Sequence, residues 1–292
     1  MSDPIRNRAE SVRARLLNLS RESGQPFQML LTRYALERFL YRLSMTEHCD
    51  RFVLKGAMLM ATWFANPFRP TRDLDFLGFG DPDPDAMLGI FRDICALEID
   101  DGVIFDFNAM VIDRLRDEME YGGLRIKTTA MIAAARIRIV ADIGFGDAIE
   151  PGLVELEMPV LLDQPAPRLR SYQRETVIAE KFQAMVILGR ANSRMKDFYD
   201  IWALSQTYSF EGDGLSRAIA ATFKRRQTSI PTERPDALTE AFANHPAKQR
   251  QWEAFLRGID AEPIALANII EHLARFLMPH SQAAAIRNTP QT

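Results

Sequence analysis

The sequence has few of the residues that build disulfide scaffolds and transition-metal sites. Among 292 residues there are only two cysteines, Cys49 and Cys95. Two cysteines are too few for a disulfide framework or for a cysteine-based zinc site. The four histidines are scattered and show no paired metal-ligand spacing. They are His48, His245, His272 and His280.

Long hydrophobic runs are also missing. Every apolar run is broken by charge before it reaches the ~18 residues of a membrane span. The beginning of the chain carries Asp3, Arg6, Arg8 and Glu10 without an apolar segment, so we expect no secretory signal and a cytoplasmic protein. With 47% hydrophobic and 26% charged residues, the chain has the composition of a soluble protein with a substantial core.

An overall basic excess is absent, since the formal net charge is −3. Proteins that wrap long nucleic acids usually carry such an excess over the whole domain. Two local basic clusters occur, at residues 6–15 and at residues 224–226. Each is interpreted first as a solvated helix face, with a local binding patch as the alternative.

The apolar spacing divides the chain into three regions. Residues 7–43 show helical periodicity, interrupted at residues 23–26 by a Ser-Gly-Gln-Pro break, which predicts two helices. The middle alternates strand and helix patterns, and helices return after residue 165. We therefore predict an α/β (α+β) protein. Its domains are N-terminal helices over residues 1–50, a mixed-sheet core over 51–164 and a C-terminal helical domain over 165–292.

Within the core, short apolar runs predict the strands. They lie at residues 51–56, 73–77, 103–107, 124–128 and 136–143, with helices at 57–64 and 87–99 and a proline-rich loop at 66–71. In the C-terminal region, Pro231 and Pro235 suggest a linker. The residues after Pro279 are predicted to form a frayed tail.

Two acidic residues, Asp73 and Asp75, stand two apart in a predicted strand. That spacing points both carboxylates to one side of the sheet, where like charges repel unless a cation neutralises them. Mg²⁺ in phosphoryl-transfer sites is commonly held by one or two carboxylates and substrate phosphates. The pattern therefore suggests a magnesium site, although an isolated Asp-x-Asp more often caps a strand at the surface.

A glycine turn and a third acid extend this pattern. Gly56 follows a strand and precedes a helix, where its backbone N–H groups can approach a phosphate. Asp142 ends an apolar strand, in which an unpaired carboxylate would be costly. We prefer Asp142 over Asp106 and Asp147 as the third acid because it lies within the apolar run. A strand-end aspartate beside a turn remains the structural alternative.

These segments in this order resemble the AbiEii/AbiGii toxin family within the polymerase-β-like nucleotidyltransferases. The similarity covers about residues 25–204. It rests on Phe52-Val-Leu-Lys-Gly-Ala, Arg69-Pro-Thr-Arg-Asp-Leu-Asp-Phe, Glu180-Lys181 and Arg194-Met-Lys-Asp-Phe-Tyr-Asp-Ile. Two departures are visible. Ala57 stands where glycine or serine is usual, so a serine hydroxyl contact to phosphate is absent, and the spacer to Asp73 is longer than in the simplest pattern.

The resemblance also implies two further site residues, Lys181 and Asp197. Lys181 would contact a triphosphate, and Lys196-Asp197 would begin the helix that closes the pocket. From the residues alone, Lys181 could equally pair with a neighbouring acid, and Asp197 could favour the helix dipole. As a partly exposed lysine, Lys181 is expected to contribute at most about 1 kcal/mol to stability.

The implied activity is transfer of a nucleoside monophosphate from an NTP to an acceptor hydroxyl. The resemblance implies Mg²⁺ at Asp73, Asp75 and Asp142, with Asp142 as the candidate base. Nucleotide contacts are expected from Lys55, Gly56, Ala57, Arg72, Lys181 and Lys196. Arg72 could instead form a structural ion pair.

The same resemblance implies partners as well as chemistry. The acceptor would be a tRNA, and an adjacent gene would encode an antitoxin. The alternatives are a small-molecule nucleotidyltransferase of the antibiotic-modifying type and a catalytically idle nucleotide-binding module. The acidic net charge mildly favours both alternatives over a tRNA enzyme.

Overall fold

The computed structural model describes residues 4–64, 71–115, 122–210 and 212–288. The first half contains α1 (Pro4–Ser23), α2 (Phe27–Ser44), β1 (Phe52–Lys55), α3 (Ala57–Trp63), β2 (Leu74–Gly78), α4 (Pro84–Ala96), β3 (Ile104–Phe105), β4 (Val111–Leu115), β5 (Gly123–Ile132) and β6 (Ala135–Phe145). The second half contains β7 (Leu153–Glu157), β8 (Arg168–Tyr172), α5 (Arg174–Leu188), α6 (Met195–Thr207), α7 (Gly214–Arg225), α8 (Glu240–Ala243), α9 (Pro246–Gly258) and α10 (Leu266–Asn288). The mixed α/β class predicted from the sequence is confirmed.

The strands form one mixed sheet. Its order is β3-β5-β6-β2-β1-β8-β7, and β4 pairs with β5 beside this path. β2 and β6 run parallel, as do β1 and β8, whereas β1 is antiparallel to β2 and β5 is antiparallel to β6. The central strands β1, β2 and β6 therefore come from distant parts of the chain, and their register brings distant residues side by side.

The two faces of this sheet differ because of alternation along β6. Ile137, Ile139, Ala141 and Ile143 are buried, and they alternate with more exposed residues that include Asp142. α2 packs against β6, α1 against β5 and α4 against β4. One face is thus covered by the first helices, which leaves the alternate positions for polar chemistry.

Aromatic rings fill the layer between these helices and the sheet. Phe39 of α2 and Phe91 of α4 stack with their centroids 5.5 Å apart. Phe91 meets Phe52 of β1 edge to face at 5.4 Å, and Phe76 of β2 lies 5.7 Å from Phe52. Burying each such ring stabilises the fold by roughly 1.5–3 kcal/mol. The cluster holds β1 and β2 together at their apolar face.

Buried charges also attach α2 to this layer. Arg42 donates to both carboxylate oxygens of Asp101, at 2.6 and 3.1 Å. Glu37 accepts from the backbone N–H of Leu161 and from Arg33, both at 3.1 Å. Burial raises the pKa of Glu37 to about 7, more than these bonds lower it. Arg42, Asp101 and Glu37 therefore each have a charged partner, which offsets the cost of burying an ion.

The chain divides into two compact units. Unit 1 consists of Met1–Gly146 and Val154–Ser171, and unit 2 of Asp147–Leu153 and Tyr172–Thr292. Unit 2 is built mainly of helices. Phe182 of α5 meets Phe223 of α7 at 5.5 Å, and Phe198 of α6 stacks on Phe242 of α8 at 5.4 Å. This division does not test the domain boundaries expected at residues 50 and 164, which stay a prediction.

Several local expectations need correction. The chain after Pro279 is not a frayed tail, because α10 continues to Asn288 and buries Ser281 and Ala284 completely. Strands β4, β7 and β8 had no clear apolar signal and were not predicted, since they are short or carry charges at alternate positions. The expected loop at residues 66–71 lies outside the described residues except for Thr71. None of the described helices is long and apolar enough to span a membrane.

Candidate active site

A row of charged residues crosses the sheet from β1 to β4. Lys55 pairs with Asp75, and Asp75 pairs with Asp142 across the parallel β2–β6 boundary. Asp142 pairs with Arg125, which in turn pairs with Asp113. Residues in direct register on neighbouring strands project to the same face. Two carboxylates that are 67 positions apart in sequence therefore lie side by side, flanked by cations.

Gly56 is required by the close approach of its backbone to Asp75. It has a φ of 71° and a ψ of −150°, a region that is essentially restricted to glycine. A Cβ atom at this position would lie 2.0 Å from Asp75 Oδ2. The strand-to-helix turn predicted from the sequence is confirmed, and the absence of a side chain at Gly56 makes room for the carboxylate.

Arg125 was not predicted as a site residue from the sequence, yet it makes a bidentate contact within the row. Its Nε and Nη2 donate to Asp142 Oδ1 and Oδ2, at 2.7 and 2.6 Å. This hydrogen bonding is the largest cause of the raised pKa of Arg125, and the charges of Asp73 and Asp75 act in the same direction. Three carboxylates therefore act on one guanidinium. The alternation of charged and apolar residues in β5 was the signal that could have identified Arg125.

Asp73 differs from Asp75 in its local structure. β2 begins at Leu74, so Asp73 lies in the bend before the strand and is half-buried. The argument that both carboxylates point to one face of a strand therefore holds for Asp75 alone. Arg72 is exposed, and Ala57 is the first residue of α3. Among the described residues, no group of three or more His, Cys, Asp and Glu side chains has the arrangement of a metal site.

The remaining acid candidates have structural partners. Asp106 accepts a hydrogen bond from the backbone N–H of Ala109 at 3.0 Å, which stabilises a turn. Asp147 belongs to unit 2 and lies 3.3 Å from Arg226. Neither is aligned with Asp75 in the strand pairing, whereas Asp142 is.

A second charged cluster lies inside unit 2. Lys181 Nζ lies 2.6 Å from Asp197 Oδ1 and 2.8 Å from Asp200 Oδ2, and Arg194 Nε lies 2.8 Å from Asp197 Oδ2. The side chain of Lys181 is 12% exposed, and those of Asp197 and Asp200 are 1% and 0% exposed. The ammonium of Lys181 and the guanidinium of Arg194 together thus balance the two buried carboxylates. The burial of these partners is a physical reason to expect a larger contribution of Lys181 to stability than the sequence suggested, while Lys196 is exposed as a surface lysine.

Comparison with protein families identifies the class as a nucleotidyltransferase. The chain belongs to the AbiEii nucleotidyl transferase toxin family of type IV toxin–antitoxin systems, whose model matches residues 38–281. Family membership implies an NTP substrate and an antitoxin partner. The match includes both the charged row from β1 to β5 and the Lys181 cluster, so the family resemblance seen in the sequence is confirmed.

Two solved structures are similar to this chain at low identity. A candidate nucleotidyltransferase from H. pylori has a TM-score of 0.47 and 16% identity, covering 90% of this chain and 97% of its own. JHP933 from Helicobacter pylori has a TM-score of 0.46 and 16% identity, covering 89% of this chain and 93% of its own. A search of curated proteins found no match.

Proposed function

We propose that this toxin transfers a nucleoside monophosphate from an NTP to a hydroxyl of tRNA at the Lys55–Asp75–Asp142 row. The acceptor oxygen would form a bond to the α-phosphorus as the bond to the β-phosphate oxygen breaks, releasing pyrophosphate. The observation that carries the proposal is the register of Asp75 against Asp142. Lys55 lies next to them, and the backbone of Gly56 approaches the Asp75 carboxylate closely.

The carboxylates fit a divalent cation by their chemistry. Asp75 and Asp142 lie on adjacent strands about 4.8 Å apart, and Asp73 stands two residues before Asp75. Two Mg²⁺ ions bound there would offset negative charge on the phosphates. Asp73, Asp75 and Asp142 would hold the metal together with substrate oxygens, a donor set that Mg²⁺ commonly takes.

The other residues of the site would bind the nucleotide or accept a proton. Asp142 would accept the proton of the attacking hydroxyl. Lys55 would contact the phosphates, with Gly56 and Ala57 providing backbone contact and Arg72 a further positive charge. The family resemblance implies Lys181 and Lys196 as further nucleotide contacts and Asp197 as a further catalytic residue.

A nucleic-acid acceptor is supported by basic residues on the same face as Asp142. Arg138 and Arg136 occupy alternate positions of β6 and are exposed. Counting the strand rise, they lie about 13 and 20 Å from Asp142. A phosphate backbone running along β6 would meet both. A small-molecule acceptor would need neither, which separates this proposal from an antibiotic-modifying enzyme and from an idle nucleotide-binding module.

The test of the active site is Asp75→Asn. We expect it to retain the fold and to abolish transfer of labelled nucleotide to tRNA and growth inhibition. Asp113→Asn is the matched control, because Asp113 lies in the same row but pairs with Lys127 on the other side of Arg125. Activity of Asp75→Asn equal to that of Asp113→Asn would refute the proposed site.

The acceptor is tested by replacing Arg136 and Arg138 together with alanine. If they contact phosphates, tRNA binding weakens and the dependence of log affinity on log salt becomes shallower by roughly 0.7–0.9 per lost contact. NTP binding should be unchanged. An unaltered salt dependence would remove the support for an acceptor lying along β6.

The antitoxin is expected from an adjacent gene, with a DNA-binding winged helix, and it should restore growth without needing a stable complex. We place the activity in the cytoplasm, where NTP and tRNA are found. The test is to co-express the neighbouring gene with the wild-type toxin and to measure growth. Cells that express Asp75→Asn serve as the inactive reference. Toxicity that persists in the presence of the neighbouring gene product would refute the pairing.

A further inference from the structure

The contact between Arg125 and Asp142 leaves Asp142 in a state that does not suit its proposed role. Both carboxylate oxygens accept hydrogen bonds from one guanidinium, at 2.7 and 2.6 Å. These two bonds occupy two of the roughly four lone-pair sites of the carboxylate, and the guanidinium already balances the negative charge that would attract a metal or a proton. Asp142 is therefore a better metal ligand and a better base when Arg125 has moved away from it.

The charge balance of the row explains why Arg125 lies there. Asp75 and Asp142 are like charges on neighbouring strands, and side by side they repel each other. The carboxylates of Asp73, Asp75 and Asp142 all favour the charged form of Arg125. A guanidinium thus supplies the positive charge that a divalent cation would supply in the same place.

The pair is accessible enough to exchange partners. The side chain of Arg125 is 38% exposed and that of Asp142 is 19% exposed. Partly exposed ion pairs are weakened by water and give little net stabilisation. A planar guanidinium also matches phosphate as well as carboxylate, so Arg125 has an alternative partner when a phosphorylated substrate arrives.

We propose that Arg125 is a positioning residue that acts as an internal cation, competing with the divalent metal for Asp142 until a substrate phosphate takes up its guanidinium. The proposal rests on the proposed function, because it assumes a metal at the acidic residues. In the free protein Arg125 lowers metal affinity. In the substrate complex the guanidinium of Arg125 binds phosphate through two N–H groups, and Asp142 becomes available to the metal and the acceptor.

The experiment measures Mn²⁺ binding to the whole protein without NTP, by the loss of the free-ion electron paramagnetic resonance signal. Arg125→Gln should bind Mn²⁺ about tenfold more tightly than wild type, the effect of removing one modest competing ion pair. Lys127→Gln is the matched control on the same face of β5 and should leave the affinity unchanged. Arg125→Lys keeps the charge without the fork, and its affinity should be intermediate.

Two further measurements complete the test. Adding Asp142→Asn to Arg125→Gln should abolish the gain, because the competition is for that carboxylate. In activity assays, Arg125→Gln should reach half-maximal rate at lower Mg²⁺ but show a lower kcat, a split that a purely structural residue would not produce.

The outcomes separate this inference from the proposed function. If Arg125→Gln binds Mn²⁺ no more tightly than wild type, while Asp75→Asn abolishes binding, the competition is refuted and the metal site stands. If neither the wild type nor any variant binds Mn²⁺, the competition by Arg125 and the proposed metal site are both refuted. If the higher Mn²⁺ affinity of Arg125→Gln persists when Asp142→Asn is added, the proposal is also overturned.

Discussion

Replacing Lys181 with methionine tests whether the buried charge cluster of unit 2 stabilises the fold. The ammonium lies 2.6 and 2.8 Å from carboxylates of Asp197 and Asp200, which are 1% and 0% exposed. Lys181→Met removes the cation that contacts both buried carboxylates, whereas Arg194 stays 2.8 Å from Asp197 Oδ2. Breaking a buried pair by deleting one partner typically costs about 3–5 kcal/mol, far above the ~1 kcal/mol of a surface lysine.

The assay is urea denaturation of Lys181→Met, with wild type and Lys196→Ala measured alongside. Lys196 is exposed on α6, next to Asp197 in the sequence, so its variant should stay within about 0.5 kcal/mol of wild type. Adding Asp197→Asn and Asp200→Asn to Lys181→Met should recover much of the lost stability, because the uncompensated charges disappear. A free energy of unfolding for Lys181→Met within about 1 kcal/mol of wild type would refute this reasoning.

This prediction changes how activity data on Lys181 are interpreted. A variant that loses transfer activity could lack a triphosphate contact or could be partly unfolded. Lys181→Arg is useful here, because it keeps a cation between Asp197 and Asp200 while changing its shape. We expect Lys181→Arg to be more stable than Lys181→Met, and its transfer rate under conditions where it is fully folded reports the nucleotide contact alone.

The remaining predictions concern a glycine and a buried acid. Gly56→Ala should abolish nucleotide transfer, because its Cβ would lie 2.0 Å from Asp75 Oδ2; Gly24→Ala has the same φ of 71° with nothing within 4 Å, and should keep activity. Equal activities of the two variants would show that the Asp75 approach is unimportant. The raised pKa of Glu37, from 4.5 to about 7, gives stability that is present below pH 4.5 and lost as pH rises through about 7. Relative to Glu37→Gln, wild type should therefore lose about 3 kcal/mol over this window, and parallel stability profiles in urea would contradict it.

Local features of the structure were predictable from the sequence because they depend on nearby residues. The helix break before Phe27, the turn at Gly56 and the strand carrying Asp75 all follow from periodicity and from glycine and proline placement. The apolar run around Asp142 likewise indicated that this carboxylate needs a partner. These elements were sufficient to indicate an acidic site and to show the family resemblance.

Only the tertiary structure decided which of these residues meet. The register of β2 against β6 aligns Asp75 with Asp142, and no local pattern specifies the pairing of strands so far apart in sequence. The pairing of β5 with β6 then places Arg125 on Asp142. The burial of Lys181 between two carboxylates likewise depends on how α5 packs with α6. Side-chain partners across the sheet and between helices depend on long-range packing, so the sequence determined the charged residues and the fold determined which of them pair.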